Sequence, residues 1–104
     1  MRDNILLEDV GVTRRLKVIQ GHVHAVEKMM EEKRPYDEII FQLEAIRSAI
    51  VKTTAVAAQY YAKTCIYDAL EKGDRSKESL NKPIEILMRV LQHTTTINQV
   101  VSHK

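Results

Sequence analysis

RLKVIQGHVHAVEKMMEEKRPYDEIIFQLEAIRSAIVK, residues 15–52, decides how this chain folds. It opens on bases, with Arg14 just before it and Arg15 and Lys17 within it. Leu16, Ile19, Val23, Val26 and Met30 follow at spacings of 3, 4, 3 and 4. That spacing is an a/d seam on one face of a helix, and it predicts a first helix over about residues 7–32. Asp9 and Thr13 are alternative caps for its start. Lys33-Arg34-Pro35 stops it, because proline disfavours helical geometry in the residue before it.

Pro35 suits the first turn of a second helix, and Asp37 and Glu38 complement its positive end. Neither Gly nor Pro occurs from Tyr36 to Lys72. The prediction is one helix over 36–72, roughly 55 Å long at 1.5 Å per residue. Leu43, Ile46, Ile50, Thr53, Ala57, Tyr60, Thr64 and Tyr67 keep the 3, 4 spacing along it. A second stripe, Val51, Thr54, Ala58, Tyr61 and Cys65, lies one position over. A face that wide needs more than one neighbour, so a homo-oligomer is expected. Gly73-Asp74 ends the rod with a left-handed cap. Asn81 and Pro83 mark the start, or a kink, of a third helix over about 81–93, with Ile84, Leu87, Val90 and Leu91 as its apolar side. The tail, 94–104, is polar and threonine-rich, and its structure is left open.

Composition agrees with an all-α reading. The 104 residues suit a single domain over 1–104. Only 3 Gly and 2 Pro punctuate them, and with 5% aromatics and no Trp a β-sandwich is not expected. Hydrophobic content of 44% and charged content of 29% describe a globular chain, not a disordered one. No apolar run approaches the ~18 residues that span a membrane. The first ten residues, MRDNILLEDV, are acidic and lack the apolar stretch of a signal peptide. A cytoplasmic protein is the expectation. One cysteine, Cys65, excludes an intrachain disulfide. The net charge of +2 says little, but its placement says more. Val10 to Val26 holds no acid, yet has Arg14, Arg15 and Lys17, and between Glu44 and Asp68 only Arg47, Lys52 and Lys63 are charged.

Several segments together resemble the copper-sensing repressor family, whose members also sense nickel or cobalt, formaldehyde and persulfides. These are Arg15-Leu16-Lys17 with Gly21-His22, Met29, the QLEAIRSAI run from Gln42, and Cys65 within CIYDALEKGD. The resemblance covers about residues 12 to 91. It implies a three-helix protomer, an antiparallel four-helix-bundle dimer and a dimer of dimers. It also implies a repressor that binds double-stranded operator DNA through flat basic faces and leaves it when an inducer binds. Arg15, Lys17 and, more loosely, Lys52 stand at the family's DNA-contacting positions, with Arg14 beside them. Long cations on rigid helices neutralise phosphates and release counterions, fixing position more than reading bases. Read from charge alone, the same cluster is equally a solvated helix face.

The resemblance places the inducer site at Tyr36 (or Asp37, one register on), Tyr61 and Cys65, where copper sensors carry Cys, His and Cys. Cu(I) selects thiolate and imidazole, so an inducer other than Cu(I) is expected, either a metal or a small molecule or redox signal. The cofactor expectation is a divalent metal ion or none. Cys65 has three readings: a small apolar residue in the seam, a redox or electrophile switch, or a ligand in a different metal site with Asp37, Glu38 or a histidine. Two apart, His22 and His24 share no face; His22 reads as structural or near DNA, and His24 as a weak ligand candidate. Tyr60 and Tyr61 read as core or as the lining of a pocket between protomers, and Met29-Met30 as core filling. Two alternatives stand beside the repressor. One is a small all-α enzyme holding a dianion on Arg14, Arg15, Arg47 and Lys52; the other is a paralogue that keeps the scaffold without sensing.

Overall fold

The computed structural model of the protein describes residues 11–74 and 77–102, with side chains as far as residue 93. Among the described residues there are three helices and no strand: α1 (Val12–Glu31), α2 (Tyr36–Lys72) and α3 (Lys77–Ser102). They gather into two compact units, one of Gly11–Thr53 and one built on Thr54–Lys104, and α2 contributes to both.

The first unit is a helical hairpin. α1 starts from Gly11, whose φ of +93 lies in the left-handed region that glycine enters freely. Thr13, a candidate cap from sequence, is already inside the helix, and Asp9 lies outside the described residues. At the far end the Lys33 N–H donates to Met30 O (3.1 Å) and the Arg34 N–H to Met29 O (3.0 Å). This is the Schellman arrangement, and it puts Lys33 at φ +58. Pro35 follows one position ahead of α2, and its carbonyl accepts the first helical bond, from the Ile39 N–H at 3.3 Å.

Inside this hairpin Val26, Ile39 and Ile46 form the buried cluster, with Ile19 and Met29 packed on it. The contact face of α1 is therefore Ile19, His22, Val26 and Met29, and that of α2 is Ile39, Gln42, Ile46, Ala49 and Thr53. Both keep the 3, 4 spacing, yet α1 includes His22 and α2 Gln42, polar positions that apolar counting passes over. The expected seam on α1 shares only Ile19 and Val26 with it. Leu16, Val23 and Met30 are 50%, 40% and 47% exposed.

The second unit shows the same division. On α2 the face buried here is small, with Ala58, Ala62 and Ala69 buried and Cys65 half-buried among them. On α3 Pro83 is fully buried and Leu80, Leu87 and Val90 half-buried, again at 3, 4, 3 spacing. Ile84 and Leu91, expected on the apolar side, are exposed instead, as is Met88. α3 starts at Lys77, ahead of the expected 81, and it runs on to Ser102 through much of the tail. Pro83 sits within it, where it has no N–H to give the helix. α2 ends as expected from Gly73-Asp74: Gly73 has φ +72, and the N–H groups of Gly73 and Asp74 donate to Leu70 O (3.1 Å) and Ala69 O (2.9 Å).

Candidate functional site

Arg14 and Arg15 lie in the first turn of α1, and Val18 and Ile19 lie one turn on, over the same side. In the antiparallel hairpin that side meets the Ala49–Thr53 stretch of α2. The result is a cleft of about 390 Å³ lined by Arg14, Arg15, Val18, Ile19, Ala49, Lys52 and Thr53. Ala49 leaves the space open on the α2 side. Three cations thus reach one concave surface from two helices. Among the described residues none of the three has a carboxylate within ion-pair distance. Arg34 and Arg47 do, pairing with Glu38 and with Glu44. Lys17 is not in the cleft. It lies with Leu16, Gln20, Val23 and His24 along a different face of α1.

The three positions expected from the sequence to read an inducer, Tyr36, Tyr61 and Cys65, are all on α2. Tyr36 is its first residue and is largely exposed. Tyr61 and Cys65, one turn apart, share a face in the second unit, and both are half-buried. A side-chain hydrogen bond with Cys65 raises the Tyr61 pKa above its ordinary 10.0, with help from burial and from the charge that Cys65 carries as a thiolate. Asp68 follows one turn after Cys65. Its Oδ2 lies 3.3 Å from Lys72 Nζ, and its Oδ1 is buried with no hydrogen-bond partner among the described residues.

Comparison with known proteins decides the kind of protein. Residues 9–93 match the family described as metal-sensitive transcriptional repressor. The chain belongs to this family of repressors. Its members are regulators of transcription, not enzymes. The copper-sensing transcriptional repressor CsoR of Bacillus subtilis (strain 168) is 26% identical over 78 residues, which cover 75% of this chain and 76% of that one. The uncharacterized protein YrkD of the same organism is 26% identical over 61 residues, covering 59% of this chain and 97% of its own. No solved structure matches the chain.

A metal-sensitive repressor needs donors, and the residues at these positions fit a soft metal poorly. Tyr36, Tyr61 and Cys65 offer two phenols and one thiol, whereas a soft metal such as Cu(I) selects thiolate and imidazole. Among the described residues no three or more His, Cys, Asp or Glu side chains gather closely enough to hold an ion. The two histidines of α1 separate as their spacing requires. His24 is exposed and lies 3.4 Å from Glu27. His22 is half-buried in the hairpin, with Nε2 2.7 Å from Gln42 Oε1. An amide oxygen only accepts, so the imidazole nitrogen is the donor. This pair ties α1 to α2 midway along their contact. Gln42 entered the sequence reading only as part of a family segment. The signal that it is structural is its place in the 39, 42, 46, 49, 53 series, opposite the one polar residue in the α1 series. Val18, Ala49 and Thr53 were also missed as lining of the basic cleft. Nothing in their types announces it, because the cleft exists only once the hairpin closes. Among the described residues no helix is long and apolar enough to cross a membrane.

Proposed function

We propose that this repressor contacts the phosphate backbone of operator DNA through Arg14, Arg15 and Lys52, with Lys17 as a further contact from the neighbouring face. The observation that carries this is the convergence on one cleft of the first unit of three cations that have no carboxylate partner among the described residues. A guanidinium fork matches two phosphate oxygens at once, and a hairpin tied by the His22–Gln42 bond holds the forks in place. Repression through DNA makes the cytoplasm its place of action. The assembly that fits this role is a homodimer or homotetramer, supported by the apolar stripe Leu16, Val23 and Met30 that the hairpin leaves exposed.

The inducer is a ligand other than Cu(I), read at Tyr36, Tyr61 and Cys65, with Tyr36 and the Tyr61–Cys65 pair supplied by different chains. The switch is a shift between two arrangements of the helices, one preferred by DNA and one by inducer. The test is fluorescence anisotropy with DNA from the protein's own promoter, titrated over a range of salt. Arg15→Ala and Lys52→Ala should each weaken binding several-fold and flatten the log–log salt slope by about 0.9 per lost phosphate contact. Unchanged affinity and slope in both variants would remove the assigned surface. The enzyme reading loses its anchor here, since Arg47 is engaged by Glu44 at 2.7 Å and is not part of the cleft.

A further inference from the structure

Charge is only part of the lining of the basic cleft. Its cations stand at the rim of a space of about 390 Å³, which is within the range of small-molecule sites. The rest of its lining is apolar: Val18 and Ile19 from α1 and Ala49 from α2. Thr53 adds no donor, because its hydroxyl hydrogen is given to Ala49 O at 2.8 Å. A DNA phosphate is fully hydrated on its outer face and gains nothing from an apolar wall. A ligand with an anionic head and an apolar body would use both parts.

We propose that the cleft also binds a small organic anion, a phosphate or carboxylate attached to an apolar group, and that this ligand competes with DNA for Arg14, Arg15 and Lys52. The head takes the guanidinium forks and the ammonium, and the body lies against Val18, Ile19 and Ala49. Binding of the anion stands on the cleft alone, while the competition rests on the DNA reading above. The consequence is a second route to derepression, separate from Tyr61 and Cys65.

The experiment uses the whole chain and two probes, phenyl phosphate and inorganic phosphate, titrated by calorimetry and as competitors of promoter DNA in anisotropy. Phenyl phosphate should bind saturably, ~10-fold more tightly than inorganic phosphate because its ring leaves water, and it should displace DNA. Arg15→Ala and Lys52→Ala should weaken both probes. Val18→Asn removes one apolar wall at a position 67% exposed, and a far-ultraviolet spectrum checks that the helix is kept. The variant should cut phenyl phosphate binding about fivefold and leave inorganic phosphate within about twofold. Equal affinity for the two probes, no saturation by phenyl phosphate, or insensitivity to Val18→Asn overturns the proposal, even while the arginine variants still lose DNA. Saturable binding that leaves DNA in place overturns the competition alone. If the arginine variants keep their DNA affinity, the failure belongs to the DNA reading and not to the anion site.

Discussion

At the scale of single residues, Tyr61 and Cys65 act directly on each other. One helical turn apart on α2, they satisfy each other through a side-chain hydrogen bond that raises the Tyr61 pKa above 10.0. A neutral phenol gains from that bond and from burial, and a phenolate would face the negative thiolate. The sign for stability follows. The folded protein prefers the protonated phenol, so this contribution is complete below the unfolded value near 10 and is lost as pH rises through the higher folded value. Replacing the thiol in Cys65→Ala should move the Tyr61 titration down toward 10.0, read from phenolate absorbance between pH 8 and 13. A midpoint that stays put would mean burial alone holds it. Tyr61→Phe keeps the ring and loses only the hydroxyl, so it should leave the far-ultraviolet spectrum unchanged.

Helix ends are where this chain can be adjusted without touching either candidate site. The same Schellman bonds close α1 and α2, but Gly73 occupies the left-handed position in one and Lys33 in the other. A side chain in that conformation costs about 1–2 kcal/mol. Lys33→Gly should therefore raise stability by ~1 kcal/mol, less some unfolded-state entropy, and Gly73→Ala should lower it by ~1–2 kcal/mol. No heavy atom lies within 4 Å of a Cβ built at Gly73, so the loss there would be conformational and not steric. Urea melts of the two variants measure both, and a stabilising Gly73→Ala would contradict the cap. In the interior of the hairpin, His22→Ala leaves the Gln42 amide without its partner in a half-buried site. A loss of ~1–3 kcal/mol is expected there.

At the scale of the whole molecule, each of α1 and α3 carries two apolar stripes and buries one within its own unit. Ile19, Val26 and Met29 turn inward while Leu16, Val23 and Met30 turn outward; Leu80, Pro83 and Leu87 turn inward while Ile84, Met88 and Leu91 turn outward. Exposed stripes of this length are uncommon on a monomer. Light scattering on the wild-type chain should return a dimer or tetramer. Leu16→Glu with Val23→Glu should shift it toward monomer while helicity is kept, because neither side chain belongs to the hairpin core. A wild-type monomer, or a double variant with unchanged mass, would mean the stripe is not an interface.

The sequence by itself determined α2 and the end of α1, since Pro35, Gly73 and the 3, 4 periodicity between them are local signals that the backbone obeys wherever the rest of the chain lies, while α3 runs past its expected bounds at both ends. It also marked Arg14, Arg15, Lys17 and Lys52 as bases, through a resemblance and an absence of acids. Tertiary structure decided which stripe faces inward, because two apolar faces on one helix look alike until a neighbour covers one. It decided that His22 and Gln42, twenty residues apart, are partners. It separated the bases too, gathering Arg14, Arg15 and Lys52 over one cleft and leaving Lys17 on another face. The physical reason is the same in each case. Periodicity says where a residue lies around its own helix, while a cleft or a paired contact depends on the crossing of two helices, which no local pattern contains.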